Sequence, residues 1–270
     1  MNNTIPKIIH QIWIGDNSRP LLWMDTWQID YIKKYPEWKY MLWTEKEIDQ
    51  LDMKNKDLYL KESTMHGKAD IVRYEILYNY GGVFVDADSV WIGGDLDDII
   101  NMGSSTGFVA AYETDQKNLV ANGVIFVSKN NKIMLDLIKL LRIFYMDKRK
   151  THEPFQVTGP HLITFINKLY PNSLTIIDHT FFYPIFWDKI TDIEAHKKHS
   201  FPKNVYMFQY GYSTSNLKDK VDTYMQSNYN NQKIIEKFTN EHTSYTNYMF
   251  IIVTISFIIL FIYFFIKLVF

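Results

Sequence analysis

The sequence predicts an α/β fold, a layered sandwich with a mainly parallel central sheet, followed by a C-terminal transmembrane helix. The sandwich is predicted because short apolar runs alternate with segments of 3.6-residue apolar period. The transmembrane helix is predicted because residues 249–266 form an apolar run without a charged residue. Continued to residue 270, the run exceeds the roughly 20 residues that a helix needs to cross a bilayer.

The first strand is predicted over residues 7–14, where an apolar run is closed by turn-forming residues. The helix after it covers residues 21–35, because Pro20 favours a helix start and Pro36 ends the helix. Residues 39–43 are a second short run of aromatic and aliphatic residues, which indicates a second strand.

The next helix begins at Thr44, which forms a capping box with Glu47. Residues 65–80 repeat apolar residues at the helical period, so they are predicted to form an amphipathic helix that Gly81 ends. The same patterns predict the later elements, which are strands over 83–86, 107–112, 122–128, 174–178 and 205–208 and helices over 132–146 and 161–170.

Three segments follow from these assignments. Residues 1–212 are predicted to form the α/β domain, residues 213–248 a polar helical or linker segment, and residues 249–270 the transmembrane helix. No signal-peptide pattern stands at the N-terminus. We therefore expect a single-pass tail anchor in a membrane, with the α/β domain on the cytosolic side.

Composition excludes several function classes. The 29 basic and 30 acidic residues give a net charge of −1, so no basic excess is present to bind nucleic acid. The chain has no cysteine, which excludes disulfides, thiolate metal sites and cysteine nucleophiles.

Two acids follow directly on a predicted strand. Asp86 and Asp88 come after the apolar residues 83–85, and ligands of α/β sheets bind beyond the carboxyl ends of strands. Neighbouring carboxylates repel each other unless a cation or hydrogen-bond donors satisfy them. Hard divalent cations prefer such oxygen ligands. The pair predicts a metal site, although a lone D-x-D can also be a solvated turn.

Asp70 and Arg73 lie three residues apart on the predicted helix 65–80, so they are neighbours on one face. Arg73 shares that face with apolar residues, and a buried arginine must be paired. The two side chains form either a structural ion pair or a pair directed at a polar, anionic ligand beside the acids.

The segment ADIVRYEILYNYGGVFVDAD, residues 69–88, resembles the core of the D-x-D glycosyltransferases of family 32. That family includes the yeast-type initiating α-1,6-mannosyltransferases and the inositol-phosphoceramide mannosyltransferases, and the clostridial glucosylating toxins have a similar pattern. IPKIIHQIWIG at 5–15, NGVIFVS at 122–128 and TGP at 158–160 are also similar to the family. The resemblance implies a GT-A-like nucleotide-sugar-binding fold. It also implies metal-dependent, retaining transfer of a hexose from a UDP- or GDP-hexose to a glycan, glycolipid or glycoprotein.

The resemblance also implies roles for individual residues. Asp86 and Asp88 would hold Mn²⁺ or Mg²⁺, and Gln209 stands where the family usually carries a histidine ligand. The residues implied in catalysis are Asp70, Arg73 and Asp88. The residues implied in donor binding are Trp13, Asp70, Arg73 and Asn122, with Trp13 stacking on the base. His10 is expected to be a core histidine.

Two alternatives remain open from the sequence. Residues 83–90 also resemble the phosphatase motif of the haloacid dehalogenases, in which Asp86 would be the nucleophile. That hypothesis leaves the helix 65–80 and the strand 7–14 unexplained. The second alternative is a membrane-tethered sugar-binding protein without turnover, which the replacement of a histidine by Gln209 supports.

Overall fold

The computed structural model describes residues 3–149, 151–185 and 204–209. Its strands are β1 Ile8–Ile12, β2 Lys39–Trp43, β3 Gly82–Val85, β4 Ser89–Trp91, β5 Phe108–Tyr112, β6 Val120–Val127, β7 Thr175–Ile177 and β8 Met207–Gln209. Its α-helices are α1 Leu21–Asp25, α2 Ile32–Lys34, α3 Glu45–Asp49, α4 Lys56–Lys61, α5 Met65–Tyr80, α6 Leu96–Met102, α7 Lys132–Lys148, α8 Pro154–Val157 and α9 Pro160–Leu169. A π-helical stretch, Thr26–Tyr31, joins α1 to α2, and a 3₁₀ turn covers His179–Phe181.

The central sheet has the strand order β2-β1-β3-β6-β5-β7. β1 is parallel to β2 and β3, and β5 is parallel to β7. β6 is antiparallel to both of its neighbours, β3 and β5, so the other five strands share one direction. The prediction of a mainly parallel sheet is confirmed. The end of β3 and the beginning of β6 therefore meet at one edge of the sheet, which we call the acid edge.

The sheet separates two hydrophobic cores because neighbouring strand residues point to opposite faces. Phe84 packs against α5, α7 and α9 on one face. Val83 and Val85 point to the other face, which is covered by the π-helical stretch and α6.

The helix predicted over residues 65–80 is confirmed as α5. Thr64 begins it by accepting a hydrogen bond from the backbone N–H of Gly67, and Gly81 ends it with a φ of 66°. The predicted amphipathic character is wrong, since every residue from 70 to 77 is buried. The reason is that α5 packs against α4, α7 and α8 as well as against the sheet.

Within the described ranges, no helix combines the length and the apolar character that crossing a membrane requires. The predicted linker at 213–248 and the predicted transmembrane helix at 249–270 lie outside the described residues.

Candidate functional site

The Asp86-Ala87-Asp88 turn follows β3 at the acid edge, and a set of hydrogen bonds fixes its position. The backbone N–H of Asp86 donates to the carbonyl of Gly123 on β6 at 2.9 Å. The carbonyl of Asp86 accepts from Gln11 Nε2 at 3.1 Å and from the hydroxyl of Ser89. Gln11 and Ser89 are completely buried. The turn is therefore anchored to three strands of the protein, β1, β4 and β6.

Arg73 bridges two of the acids. Its Nη2 lies 3.2 Å from Asp70 Oδ1 and 3.1 Å from Asp86 Oδ1. Its Nη1 donates to the carbonyl of Asn122, and its guanidinium lies over the ring of Phe84. Burial works to lower the pKa of Arg73, but the two carboxylates outweigh it and hold that pKa above its ordinary value. Arg73 therefore remains a cation and joins α5 to the end of β3.

Asp70 is held on both of its carboxylate oxygens. Asn122 Nδ2 donates to Oδ1 at 2.8 Å, and the hydroxyl of Thr158 donates to Oδ2 at 2.7 Å. Burial raises the pKa of Asp70, while Arg73 works in the opposite direction. The structure thus brings together Asp70, Arg73 and Asn122, as the sequence predicts, and adds Thr158 to them.

Gln209 reaches the acids through the pairing of β4 with β8. The antiparallel register sets Gln209 opposite Ser89, directly after the acidic turn. Gln209 Nε2 donates to Asp86 Oδ2 at 2.8 Å and lies 3.4 Å from Asp88 Oδ1. The predicted trio of Asp86, Asp88 and Gln209 is therefore together in space.

This trio fits a hard divalent cation. Two carboxylates and an amide oxygen are ligands of the kind that Mg²⁺ and Mn²⁺ take. A Cβ atom at Gly123 would stand 2.6 Å from Asp86 Oδ2 and 2.8 Å from Gln209 Oε1. The glycine therefore leaves room beside these two side chains, a space that we call the metal cradle. In the part of the chain that the structure describes, no three His, Cys, Asp or Glu side chains form a metal-binding group. The amide of Gln209, as the resemblance implies, would be the third ligand beside Asp86 and Asp88.

Trp13 directly follows β1, which runs parallel to β3, so Trp13 lies at the acid edge. Its indole N–H donates to the carbonyl of Asn17 at 2.8 Å, and its backbone N–H donates to Trp43. The ring is partly exposed. The predicted stacking of Trp13 on a base stays a prediction.

His10 belongs to the core and not to the site. Its ring is completely buried. The indole N–H of Trp43 donates to Nδ1 at 3.1 Å, so Nε2 carries the proton and donates to the carbonyl of Gly81 at 2.8 Å. Burial lowers the pKa of His10 to about 4.

His66 is not among the site residues that the sequence predicts. It lies one helical turn before Asp70 on α5 and is exposed. The spacing of His66, Asp70 and Arg73 by four and three residues was the signal that could have identified it.

Comparisons with known proteins agree with this chemistry. The profile of a family described as glycosyltransferase sugar-binding region containing DXD motif matches residues 22–103. An uncharacterized glycosyltransferase of Acanthamoeba polyphaga mimivirus is 30% identical over 203 residues, which cover 67% of this chain and 73% of that protein. Inositol phosphoceramide mannosyltransferase 3 of Schizosaccharomyces pombe is 28% identical over 170 residues, or 60% of this chain. The chain spans only 44% of that mannosyltransferase, and 28% and 25% of two related ones.

Two solved structures share the fold. One, described as PaToxG glycosyltransferase, has a TM-score of 0.50 and 22% identity, and the match covers 61% of this chain and 69% of that chain. The other is a glycosyltransferase involved in the glycosylation of the major capsid of PBCV-1, with a TM-score of 0.50 and 10% identity. That match covers 82% of this chain and 100% of the other. The arrangement of strands and helices is thus the one found in glycosyltransferase domains.

Proposed function

Because the chain belongs to the family of glycosyltransferases whose sugar-binding region contains a DXD motif, we propose that it transfers a hexose from a nucleotide sugar, with retention at the anomeric carbon. The observation that carries the proposal is the bridge that Arg73 forms between Asp70 and Asp86. The bridge places two acids and one cation in the same part of the acid edge, and Asp88, two residues after Asp86, adds a third acid, which leaves a net negative site for a divalent metal.

Asp86, Asp88 and Gln209 would hold the metal, either Mn²⁺ or Mg²⁺. When bound, the metal would neutralise charge on the leaving diphosphate. The carboxylate of Asp70 accepts one hydrogen bond on each oxygen, from Asn122 and from Thr158. Because sugar hydroxyls also donate to carboxylates, Asp70 would bind a hydroxyl of the donor sugar.

Arg73 acts chiefly on its neighbours in this proposal. Both of its terminal nitrogens already contact protein oxygens, so its first task is to fix Asp70 and Asp86. Its positive charge also adds to the field that a diphosphate meets there. Asn122 fixes Asp70 from β6, and Trp13 is available at the same edge for stacking on the base.

We propose a glycolipid at a membrane surface as the acceptor. Several relatives are named as inositol phosphoceramide mannosyltransferases, which supports a lipid-linked acceptor and mannose as the hexose. The apolar run at 249–270 supports a membrane span that would keep the catalytic domain beside the bilayer. Soluble glycans and glycoproteins are the alternative acceptors, and transfer to them is to be compared with transfer to a glycolipid.

The experiment is a screen of UDP- and GDP-hexoses against the full-length protein in detergent, with and without Mn²⁺. We expect metal-dependent release of the nucleoside diphosphate from one donor. Asp88→Asn should lower that rate by about 100-fold or more, since it removes a metal ligand worth several kcal/mol. Asp49→Asn, which changes an exposed acid on α3, serves as the matched control.

The same screen separates the two alternatives. A wild-type protein that binds a nucleotide sugar but never turns it over would be a sugar-binding protein. Release of phosphate from a phosphomonoester, lost in Asp86→Asn, would indicate a phosphatase. The phosphatase hypothesis gives no role to Asp70, which Arg73 joins to Asp86.

A further inference from the structure

Several buried polar atoms without a hydrogen-bond partner lie near the acid edge. Among the described residues these include Oε2 of Glu113, the hydroxyl of Thr114 and the hydroxyl of Tyr183. Buried polar atoms in folded proteins are normally paired, so a group of unpaired ones needs an explanation. Their chemistry, one carboxylate and two hydroxyls, is that of a site for a ligand rich in hydroxyl groups.

Glu113 lies at the acid edge because it directly follows β5. β5 runs antiparallel to β6 and therefore in the same direction as β3, which ends just before Asp86. The backbone N–H of Glu113 donates to the carbonyl of Leu119 at 2.9 Å and closes the hairpin that leads into β6. Asn122, which contacts Asp70, comes three residues later on β6. The hairpin and the Asp70 site are thus built on the same strand.

Tyr183 reaches the same place from β7. β7 is parallel to β5, with Ile177 opposite Ala111, so the chain after β7 also emerges at the acid edge. His179 fixes Tyr183, because its carbonyl accepts the backbone N–H of Tyr183 and its Nδ1 lies 3.0 Å from the Tyr183 carbonyl. Burial, followed by the charges of Asp86 and Glu113, raises the pKa of Tyr183. Tyr183 therefore lies within electrostatic reach of both carboxylates.

The carboxylate of Glu113 differs from a structural one in the same protein. Glu62 is buried to 2% exposure and receives two hydrogen bonds from Arg149 and two from Thr64. These partners hold the pKa of Glu62 at about 2, although burial acts to raise it. Burial alone raises the pKa of Glu113, and no partner opposes it. Leaving a carboxylate in this state is unfavourable for the empty protein.

We propose that Glu113 and Tyr183 bind hydroxyl groups of a hexose at the acid edge. The carboxylate accepts hydrogen bonds from neighbouring hydroxyls, and the tyrosine hydroxyl donates one or accepts one. The inference rests on the proposed function and extends it, since it assigns sugar recognition to the hairpin after β5. The hexose is either the one being transferred or the terminal sugar of the acceptor.

The test compares Glu113→Gln and Tyr183→Phe with wild type in full-length protein. Calorimetric titrations in Mn²⁺ use GDP-mannose against GDP and UDP-glucose against UDP. Transfer to methyl α-mannopyranoside, an acceptor hexose without a lipid, is measured as a KM. Glu75→Gln is the matched control, because Glu75 is another buried glutamate with an unpaired oxygen, and its other oxygen binds the backbone of Asn55.

For a subsite of the donor hexose, both variants weaken binding of the nucleotide sugar about tenfold and leave binding of the nucleoside diphosphate unchanged. For a subsite of the acceptor hexose, donor binding is unchanged and the KM for the methyl hexoside rises about tenfold. In either case Glu113→Gln raises the melting temperature of the ligand-free protein, because it removes a buried charge without a partner.

Unchanged affinities and an unchanged KM in both variants would overturn the inference. So would a lowered melting temperature of Glu113→Gln with normal binding, because that pattern belongs to a structural carboxylate. A wild-type protein that binds the diphosphates and no nucleotide sugar would instead refute the proposed function itself.

Discussion

At the scale of single residues, the site depends on the charge of Arg73. Its side chain is 6% exposed and lies between the carboxylates of Asp70 and Asp86. Without that cation, the buried carboxylate of Asp70 and the partly exposed one of Asp86 would face each other with no positive charge between them. The arginine also fits by shape, since its planar group lies on the ring of Phe84 while its nitrogens reach in three directions.

Replacing Arg73 should therefore reduce stability as well as activity. We expect Arg73→Met to lower the free energy of unfolding by about 3–5 kcal/mol, the usual loss when one partner of a buried ion pair is removed. Arg73→Lys should recover part of that stability and little of the transfer activity, because one ammonium cannot hold both carboxylates and the Asn122 carbonyl. Urea unfolding and a donor-hydrolysis assay measure the two effects. A stable Arg73→Met variant with unchanged melting would show that the ion pair does not stabilise the fold.

His10 gives the fold a pH dependence of its own. Its folded pKa of about 4 lies below the ordinary value of 6.5. Above about pH 6.5 neither the folded nor the unfolded state binds the proton, and between pH 6.5 and 4 only the unfolded state does. Stability should therefore fall as the pH decreases through that window, by up to about 1.4 kcal/mol per unit.

The variant His10→Gln isolates this effect. A glutamine amide can still donate to Gly81 and accept from Trp43, but it does not titrate. Urea unfolding at several pH values between 4 and 7 should give a flatter profile for His10→Gln than for wild type. If the stability of wild type and of His10→Gln changed with pH in parallel, His10 would have to be protonated in the folded protein. That result would contradict the hydrogen bond from Trp43, which requires an unprotonated Nδ1.

At the scale of elements, β6 connects the parts of the site. The carbonyl of Gly123 on β6 accepts a hydrogen bond from the backbone N–H of Asp86. The side chain of Asn122, also on β6, donates to Asp70. Because β6 is antiparallel to β3, its first residues and not its last ones lie at the acid edge. Gly123 has no side chain at the point where Asp86 and Gln209 approach β6.

A methyl group at this point should close the metal cradle. Gly123→Ala places a Cβ 2.6 Å from Asp86 Oδ2, so we expect it to remove Mn²⁺ binding, measured by electron paramagnetic resonance, and Mn²⁺-dependent turnover. Gly93→Ala is the matched control, since a Cβ there has no atom within 4 Å. Mn²⁺ binding that survives in Gly123→Ala would place the cation elsewhere.

The sequence predicted those elements whose signals lie entirely within their own residues, such as an apolar run, a capping pair or a helical period. The strand at 39–43, the capping box of Thr44 with Glu47 and the helix at 65–80 are confirmed. The predicted helix over 21–35 is interrupted by the π-helical stretch, whose extra residue per turn leaves no mark in the apolar pattern. The sequence did not predict three short elements, α4, α6 and β4. The two helices have fewer than two full turns and the strand has fewer than four residues, so their apolar periodicity is too short to recognise.

At the scale of the whole molecule, the site depends on contacts between distant segments. The sequence predicted a set of candidate site residues but not the contacts between them. That Arg73 contacts Asp86 as well as Asp70 follows only from the packing of α5 on β3. That Gln209 meets Asp86 follows from a strand pair whose members lie more than 100 residues apart. No periodicity within either segment specifies such a contact.

The membrane anchor is a prediction at the same scale. We expect the full-length protein to sediment with membranes, and Ile259→Arg to move it towards the soluble fraction. A charge at the centre of a span costs about 2.5–3.5 kcal/mol on insertion scales. Ile143→Arg, which adds the same charge to an exposed position on α7, is the control. In sealed vesicles, added protease should digest the catalytic domain, and protection of the domain would place it in a lumen.

The antiparallel direction of β6 also makes the acid edge adaptable. Parallel neighbours need a long crossover, whereas β5 and β6 are joined directly by the hairpin over 113–119, whose residues 115–118 are exposed. Surface loops of this kind tolerate insertions and exchanges, because little of the core rests on them. Under the role proposed for Glu113, replacing this hairpin would alter which sugars the protein accepts, while the contacts of Asp70, Arg73 and Asp86 stay in place.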